Sequence, residues 1–150
     1  ILISIFVLSA SCGYKIINQS EINNFNIYEI TTKVEKRINY FLKNKLLNTT
    51  KKNSSKEIAI NIDTKKIKTT KERNIKNEIT KYSILVTSKI DFNIVNQTTI
   101  GSFTLKKSGE YNVSDQYSQT LNNEKKITKQ ISQLLAEEIL KELDKRLNDI

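Results

Sequence analysis

The sequence predicts an α+β domain in which two helices pack on one face of a four-stranded mixed sheet, in the order β-α-β-β-β-α. Two segments repeat apolar residues every three or four positions, as amphipathic helices do. Three long segments alternate apolar and polar residues, as strands with one wet face do. The 150 residues show no internal repeat or linker, so we expect a single domain.

The chain opens with an apolar run that ends at a cysteine. Residues 1–8 are almost all apolar, three small residues follow, and Cys12 comes next. This layout is typical of a bacterial lipoprotein signal, in which the cysteine receives a diacylglycerol and the chain is cut just before it. Because the sequence contains no Met, we predict a truncated signal peptide over 1–11 and one exported domain over 12–150. The alternative is a buried first strand whose cysteine is merely a small hydrophobe.

The first strand and the first helix are predicted before a polar break in the chain. The stretches 13–17 and 25–31 are β-prone, and either can pair at a sheet edge. A helical period follows, which predicts a helix over 32–47 with Thr31 or Thr32 as its N-cap. The strand before this helix should enter the sheet through a right-handed crossover. The apolar face of the helix comprises Val34, Ile38, Phe41, Leu42 and Leu46.

Three long strands forming an antiparallel meander are predicted in the middle of the chain. The first starts at Lys56, and the second spans 78–95 with an apolar stripe that is interrupted at Ser88. The third follows a tight connection at 96–99, and its glycine predicts a bulge near Ser108–Gly109. The apolar stripes comprise Ile58, Ile60 and Ile62 in the first strand, Tyr82, Ile84, Val86, Ile90, Phe92 and Ile94 in the second, and Ile100, Phe103, Leu105, Tyr111 and Val113 in the third.

The last segment carries the strongest helical pattern of the chain. Ser114 or Asp115 can cap its start. Such a long amphipathic helix can also be a membrane-surface or coiled-coil element, but the width of its apolar stripe favours packing on the domain's own sheet. The stripe comprises Leu121, Ile127, Ile131, Leu134, Leu135, Ile139, Leu143 and Leu147.

The composition narrows the range of functions. The formal net charge is +9, which favours a polyanionic neighbour such as nucleic acid, acidic lipid or a phosphorylated glycolipid. A coding bias toward lysine is the alternative explanation. A single cysteine excludes an intramolecular disulfide, and the lack of His excludes histidine-based acid–base chemistry and His-Cys metal sites. We therefore expect neither an enzyme nor a bound cofactor.

Cations concentrate where the first meander strand turns into the second. We call residues 65–76 the basic segment, and its only acid is Glu72. The segment is a candidate for binding an anionic partner, and the alternative is a solvated hairpin tip kept soluble by its charge. Tyr111 and Tyr117 are expected to pack between helix and sheet rather than bind a ligand. The cations are Lys65, Lys66, Lys68, Lys71, Arg73 and Lys76.

Several stretches resemble the LptE family of small outer-membrane lipoproteins, and most closely its alphaproteobacterial branch. The branch's Cys-Gly-aromatic start is matched by CGY, and its helix rich in LRNRL-like text by VEKRINYFLKNKL. The strand, charged crossing point and long second strand of the family are matched by EIAINIDTKKIKTTKERNIKNEITKYSILVTSKIDF. The most specific match is GEYNVSDQYSQTLNNEKK, a strand ending in aromatic-Asn-Val before a helix with an early Asn-Glu. The resemblance covers nearly the whole chain.

The resemblance implies a function in lipopolysaccharide assembly. Members of the family lie inside the lumen of the LptD β-barrel as a plug, help that barrel to fold, and hold lipopolysaccharide on its way to the outer leaflet. The implied location is the periplasmic side of the outer membrane, with a lipid anchor on Cys12. The implied partners are an LptD-like barrel and lipopolysaccharide, and the basic segment is the candidate contact for lipid A phosphates or acidic barrel loops.

Two other functions stay open from the sequence. An auxiliary lipoprotein of an envelope ABC-type lipid transport system would share an α+β body and an anchor. A basic single-strand nucleic-acid binder is suggested by the charge and by the Tyr and Phe residues on the strands. Predicted export argues against the second, so nucleic acid is not an expected partner.

Overall fold

A computed structural model describes residues 25–49, 54, 56–97 and 100–149. The elements are β1 (Phe25–Val34), α1 (Lys36–Thr49), β2 (Lys56–Arg73), β3 (Ile79–Ile94), β4 (Ile100–Asn112) and α2 (Tyr117–Asn148). The sheet order is β1-β2-β3-β4, with β1 parallel to β2 and the other pairs antiparallel. Two helices on a four-stranded mixed sheet confirm the predicted fold class. Cys12, the predicted signal and the stretch 13–17 lie outside the described residues.

The corner between β1 and α1 differs from the sequence-based expectation. The predicted helix start near Thr32 is wrong, because residues up to Val34 continue β1 and pair with β2 as far as Thr64. Val34 ends the strand with a φ of 73° and is 75% exposed, so it is not part of the helix's apolar face. Asn39 is buried, and its side-chain amide donates to the Lys33 carbonyl at 2.9 Å. The β-branched residues before the corner favour the strand over an early helix turn.

The meander has the long strands that the alternation predicts. The even-numbered residues of β3, and of β2 as far as Thr70, face the helices, a surface that we call the helix face, and the odd-numbered residues form the open face. Beyond Thr70 a register shift brings Glu72 opposite Lys81 of the open face. The predicted bulge near Ser108–Gly109 is wrong, since β3 and β4 pair without a register shift from Lys81 to Asn93. The irregularities lie instead between Ile27 and Glu29 of β1 and near the hairpin end of β2.

A polar pair lies in the middle of the buried helix face. Thr64 and Ser88 are both fully buried register partners, and their hydroxyl oxygens are 3.2 Å apart. The apolar stripe is thus interrupted at Ser88 because the Ser88 hydroxyl faces the Thr64 hydroxyl on the neighbouring strand. Each hydroxyl needs the other, because a buried polar group without a partner is costly.

We expect Thr64→Val to lower the free energy of unfolding by about 1–2 kcal/mol, because it leaves the Ser88 hydroxyl buried without this partner. Adding Ser88→Ala should restore part of the loss. Urea denaturation measures both, with Thr69→Val on the exposed part of β2 as the control. A Thr64→Val protein as stable as wild type would show that the pair contributes nothing.

Helix α2 closes the core over the sheet, although its start and its stripe differ from the prediction. Neither Ser114 nor Asp115 is the N-cap; Gln116 takes that position and makes no side-chain capping bond. Leu134 is 52% exposed, and Leu121 is also exposed. Between Thr120 and Thr128 no residue of α2 is buried, so the apolar core contact begins later than the stripe suggests. The buried residues of α2 are Thr120, Thr128, Ile131, Ser132, Leu135, Ala136, Ile139, Leu140, Leu143 and Leu147.

Candidate functional site

The basic segment does not form one patch, because strand geometry divides its cations between the two faces of the sheet. Side chains alternate along a strand, so Lys66 and Lys68 lie on the helix face and Lys65 on the open face. Thr64 is the last buried residue of β2, and all cations of the basic segment lie beyond it, toward the hairpin end. The sequence predicted a cluster of equivalent cations, whereas the structure places two of them against α2.

Glu124 of α2 holds the two lysines of the helix face. The Lys66 Nζ atom is 3.0 Å from Glu124 Oε1, and the Lys68 Nζ atom is 2.9 Å from Oε2. The Tyr111 hydroxyl donates to the same Oε2 at 2.9 Å. The Glu124 side chain is only 20% exposed, so one acid joins β2, β4 and α2 at the level where the buried core ends.

Two tyrosines complete this cluster. Tyr82 of β3 and Tyr111 of β4 are register partners whose rings stack with centroids 5.6 Å apart. The Lys68 Nζ atom lies 4.1 Å from the centroid of Tyr82 and 5.4 Å from that of Tyr111, within the range of cation–π attraction. We call Lys66, Lys68, Tyr82, Tyr111 and Glu124 the Glu124 cluster.

The charges of the Glu124 cluster are fixed over the physiological pH range. Burial acts to raise the pKa of Glu124, but hydrogen bonds from Lys68, Lys66 and Tyr111 outweigh it and hold that pKa at about 2. Burial acts to lower the pKa of Lys68, but its bonds to Tyr111 and Glu124 raise that pKa above its ordinary value. Burial raises the pKa of the Tyr111 hydroxyl. The cluster therefore carries one carboxylate against two ammonium groups.

Acid should destabilise the domain through Glu124. Because the pKa of Glu124 falls on folding from 4.5 to about 2, the added stability is complete above pH 4.5 and is lost as the pH falls toward 2. We expect a loss on the order of 2 kcal/mol after allowance for solvent screening. Melting temperatures of wild type and Glu124→Gln between pH 7 and pH 2 measure it. The difference in melting temperature between the two proteins should disappear in acid. A difference that stays constant with pH would contradict the role given to Glu124.

The other cations of the basic segment point outward. Lys71 pairs with Glu110 at 3.3 Å, and both side chains are about half exposed. Arg73 Nη1 donates to the Asn77 carbonyl at 2.8 Å. Within the described part of the chain, the side chains of Lys65 and Lys76 make no ion pair. Lys65 and Lys76 are therefore the cations most available to an anionic partner. Lys71 and Arg73 are exposed but each already has a partner, and Lys66 and Lys68 are engaged by Glu124.

The two tyrosines expected to pack at the helix–sheet junction behave differently. Tyr111 is buried there, as predicted. Tyr117 is 76% exposed at the first position of α2, so that prediction is wrong. Sequence reasoning also missed Glu124 as a member of the site. A signal was present, because Glu124 shares the face of Thr128, Ile131 and Leu135 at spacings of four, three and four.

The open face is mostly polar, with Ile67 and Leu85 among its exposed apolar residues, and some of its charges are paired with one another. Lys89 lies 3.3 Å from Asp91, and the Ser102 hydroxyl donates to Asp91 at 2.6 Å. The bond from Ser102 holds the pKa of Asp91 below its ordinary value. Near the β1 side the face contains a shallow depression of about 380 Å³. Its lining residues include Glu29, Thr31, Asn61, Asp91, Asn93 and Gln97.

The described residues contain neither a metal-binding group nor a membrane-spanning helix. Across 25–49, 56–97 and 100–149, no group of three or more His, Cys, Asp or Glu residues is arranged to hold a metal ion. Neither helix of that part is both long and apolar enough to cross a membrane.

The chain shares its fold with bacterial lipoproteins of known structure. Rare lipoprotein B of Shewanella oneidensis has a TM-score of 0.61 at 9% identity, over 81% of this chain and 97% of that chain. Uncharacterized lipoprotein B of Nitrosomonas europaea has a TM-score of 0.60 at 11% identity, over 83% and 88%. A lipoprotein of Caulobacter crescentus has a TM-score of 0.59 at 13% identity, over 79% and 90%. No family model matches the sequence, and the search of curated proteins found no match.

Proposed function

We propose that this chain is a lipid-anchored protein of the outer membrane that plugs an LptD-like β-barrel, assists its assembly and aids lipopolysaccharide transport to the outer leaflet. The observation that carries the proposal is the fold, which this chain shares with three lipoproteins over nearly their whole length. The apolar run before Cys12 and the resemblance to the LptE family support it from the sequence. The proposal assigns no catalysis to the chain.

The open face suits the lumen of a wide barrel. Such a barrel cannot fill its interior with its own side chains, so a separate folded domain can serve as the plug. The face offers fixed polar groups, since Lys89 and Asp91 pair on it and the Lys81 and Glu72 side chains pair at 2.8 Å near the hairpin end. A polar barrel wall can meet these groups through hydrogen bonds and complementary charge.

The length of the β2–β3 hairpin suits the same role. Strand β2 has 18 residues, which at about 3.3 Å per residue spans roughly 60 Å. That exceeds the thickness of a bilayer with its headgroups, about 40–45 Å. Inside a barrel, such a hairpin can bring the outward cations near one membrane surface while β1 begins near the other.

Lipopolysaccharide contact is assigned to the basic segment. Lys65, Lys71, Arg73 and Lys76 project outward and are the cations that lipid A phosphates would meet first. Lys66 and Lys68 contribute by fixing the position of the segment against Glu124. Acyl chains on Cys12 would contribute about 0.8 kcal/mol per buried methylene to membrane attachment, which keeps the plug near its barrel.

Depletion of the chain in its host tests this function. We expect less folded LptD-like barrel, followed by less lipopolysaccharide at the cell surface, and both should return when the wild-type chain is supplied. Unheated gel samples report the folded barrel, and a second, unrelated outer-membrane barrel is the control. Normal barrel levels after depletion would contradict the proposal.

A further inference from the structure

The tip of the β2–β3 hairpin presents an isoleucine entirely to solvent. Ile75 has a relative exposure of 103%, the highest of the exposed large apolar residues in the described part of the chain. The tip, which we define as residues 71–81, lies at the end of the sheet opposite to the start of β1. A lone apolar surface residue is ordinary in itself, so the inference depends on what surrounds Ile75.

The tip is rigidly held rather than loose. The Asn74 side-chain oxygen accepts from the backbone N–H groups of Lys76 and Glu78, each at 2.9 Å. The Asn74 side-chain amide donates to the Glu78 carboxylate at 2.7 Å, and Arg73 bonds the Asn77 carbonyl. Ile75 is thus presented by a preorganised turn, so that docking it costs little conformational entropy.

The flanks of Ile75 are cationic. The tip holds four cations, Lys71, Arg73, Lys76 and Lys81, against the two carboxylates of Glu72 and Glu78, so its formal charge is positive. Lys81 neutralises Glu72 at 2.8 Å, and Lys71 is paired with Glu110 of β4. Arg73 and Lys76 are the cations closest in sequence to Ile75, and neither has an ion-pair partner among the described residues.

We propose that the hairpin tip docks on the surface of an anionic phospholipid bilayer, with Ile75 among the headgroups and Arg73 and Lys76 on phosphates. Charge complementarity selects a negatively charged surface. A single projecting side chain is too small for a specific protein interface, which needs about 800 Å² from each partner, but it suffices as one anchor point on a lipid surface. The inference does not depend on the barrel, since it concerns the domain while it is outside any barrel.

Vesicle flotation tests this docking. The exported chain from residue 12 onward is used with Cys12→Ala in every protein, so that neither an acyl chain nor the apolar run of residues 1–11 contributes to binding. We expect binding to vesicles of phosphatidylcholine with phosphatidylglycerol, weaker binding to phosphatidylcholine alone, and loss of binding in high salt. Ile75→Ser and Lys76→Gln should each lower the partition coefficient about fivefold. The matched control is Leu134→Ser, an exposed leucine on α2, which should bind as the parent does.

A tryptophan reporter gives an independent measurement. The chain contains no Trp, so Ile75→Trp carries the only one and Leu134→Trp is its control. Anionic vesicles should shift the Ile75→Trp emission to the blue, and bromine on the acyl chains should quench it, with no change in the control. The proposal is overturned if Ile75→Ser binds like its parent, if the Ile75→Trp emission does not shift, or if binding requires lipopolysaccharide in the vesicles.

Discussion

Replacing Gly109 by Leu should lower the free energy of unfolding by about 3 kcal/mol and the melting temperature by roughly 10 °C. Gly109 lies on the helix face of β4 opposite Ile84. A Cβ atom placed there would be 2.7 Å from Ile127 Cγ1 and 3.1 Å from Ile131 Cδ1 of α2. A leucine side chain would therefore force α2 away from the sheet, and a strand's ordinary preference for side chains over glycine is too small to compensate.

Two variants separate this clash from a general effect on the strand. Ser108→Leu places the same side chain one residue away, exposed on the open face, and should change stability little. Ile127→Ala in the Gly109→Leu background should recover part of the loss, because it removes the atoms that the leucine meets. Thermal unfolding followed by circular dichroism measures all of them, and a Gly109→Leu protein as stable as wild type would show that α2 does not depend on the glycine.

Removing the carboxylate of Glu124 should cost about 2 kcal/mol. Glu124→Ala leaves the ammonium groups of Lys66 and Lys68 without their counterion and the Tyr111 hydroxyl without its acceptor. Loss of one partner of a buried charge cluster is costly because the remaining charges stay desolvated, and the partial exposure of both lysines reduces the cost. Replacing Lys66 and Lys68 by Met as well should restore most of the stability, since no unpaired charge then remains.

A surface ion pair is the matched control for this cluster. Lys71 and Glu110 join β2 and β4 at 3.3 Å with both side chains about half exposed. Glu110→Ala should therefore change the free energy of unfolding by less than about 0.5 kcal/mol. Urea denaturation at low and high salt measures the series. An equal cost for Glu124→Ala and Glu110→Ala would show that the Glu124 cluster has no special role.

Periodicity predicted the elements of this fold better than their ends. The alternation of apolar and polar residues located the meander strands correctly, and Ser88 interrupted the apolar stripe of β3. The end of β1 was missed because Val34 fits a helical spacing equally well, and only pairing of its strand with β2 decides between the two. Gly109 was interpreted as a bulge because the sequence does not reveal how closely α2 approaches the strand.

The candidate site was predicted in part for a similar reason. The sequence located the basic segment on the hairpin, but it could not show that Lys66 and Lys68 meet an acid 56 or more residues later in the chain. Ile75 was passed over because an apolar residue inside a charged turn has no periodic pattern to mark it. Long-range pairing and exposure are properties of the folded chain, and neither can be derived from local spacing.

A tagged pull-down from detergent-solubilised outer membranes tests the proposed function most directly, with mass spectrometry of the partners and Cys12→Ala as the comparison. The proposal predicts a large β-barrel in near one-to-one amount with the wild-type chain. Less barrel should come down with Cys12→Ala, because the anchor raises the local concentration of the plug. Recovery of inner-membrane transporter subunits instead of a barrel, or of no partner at all, would contradict it.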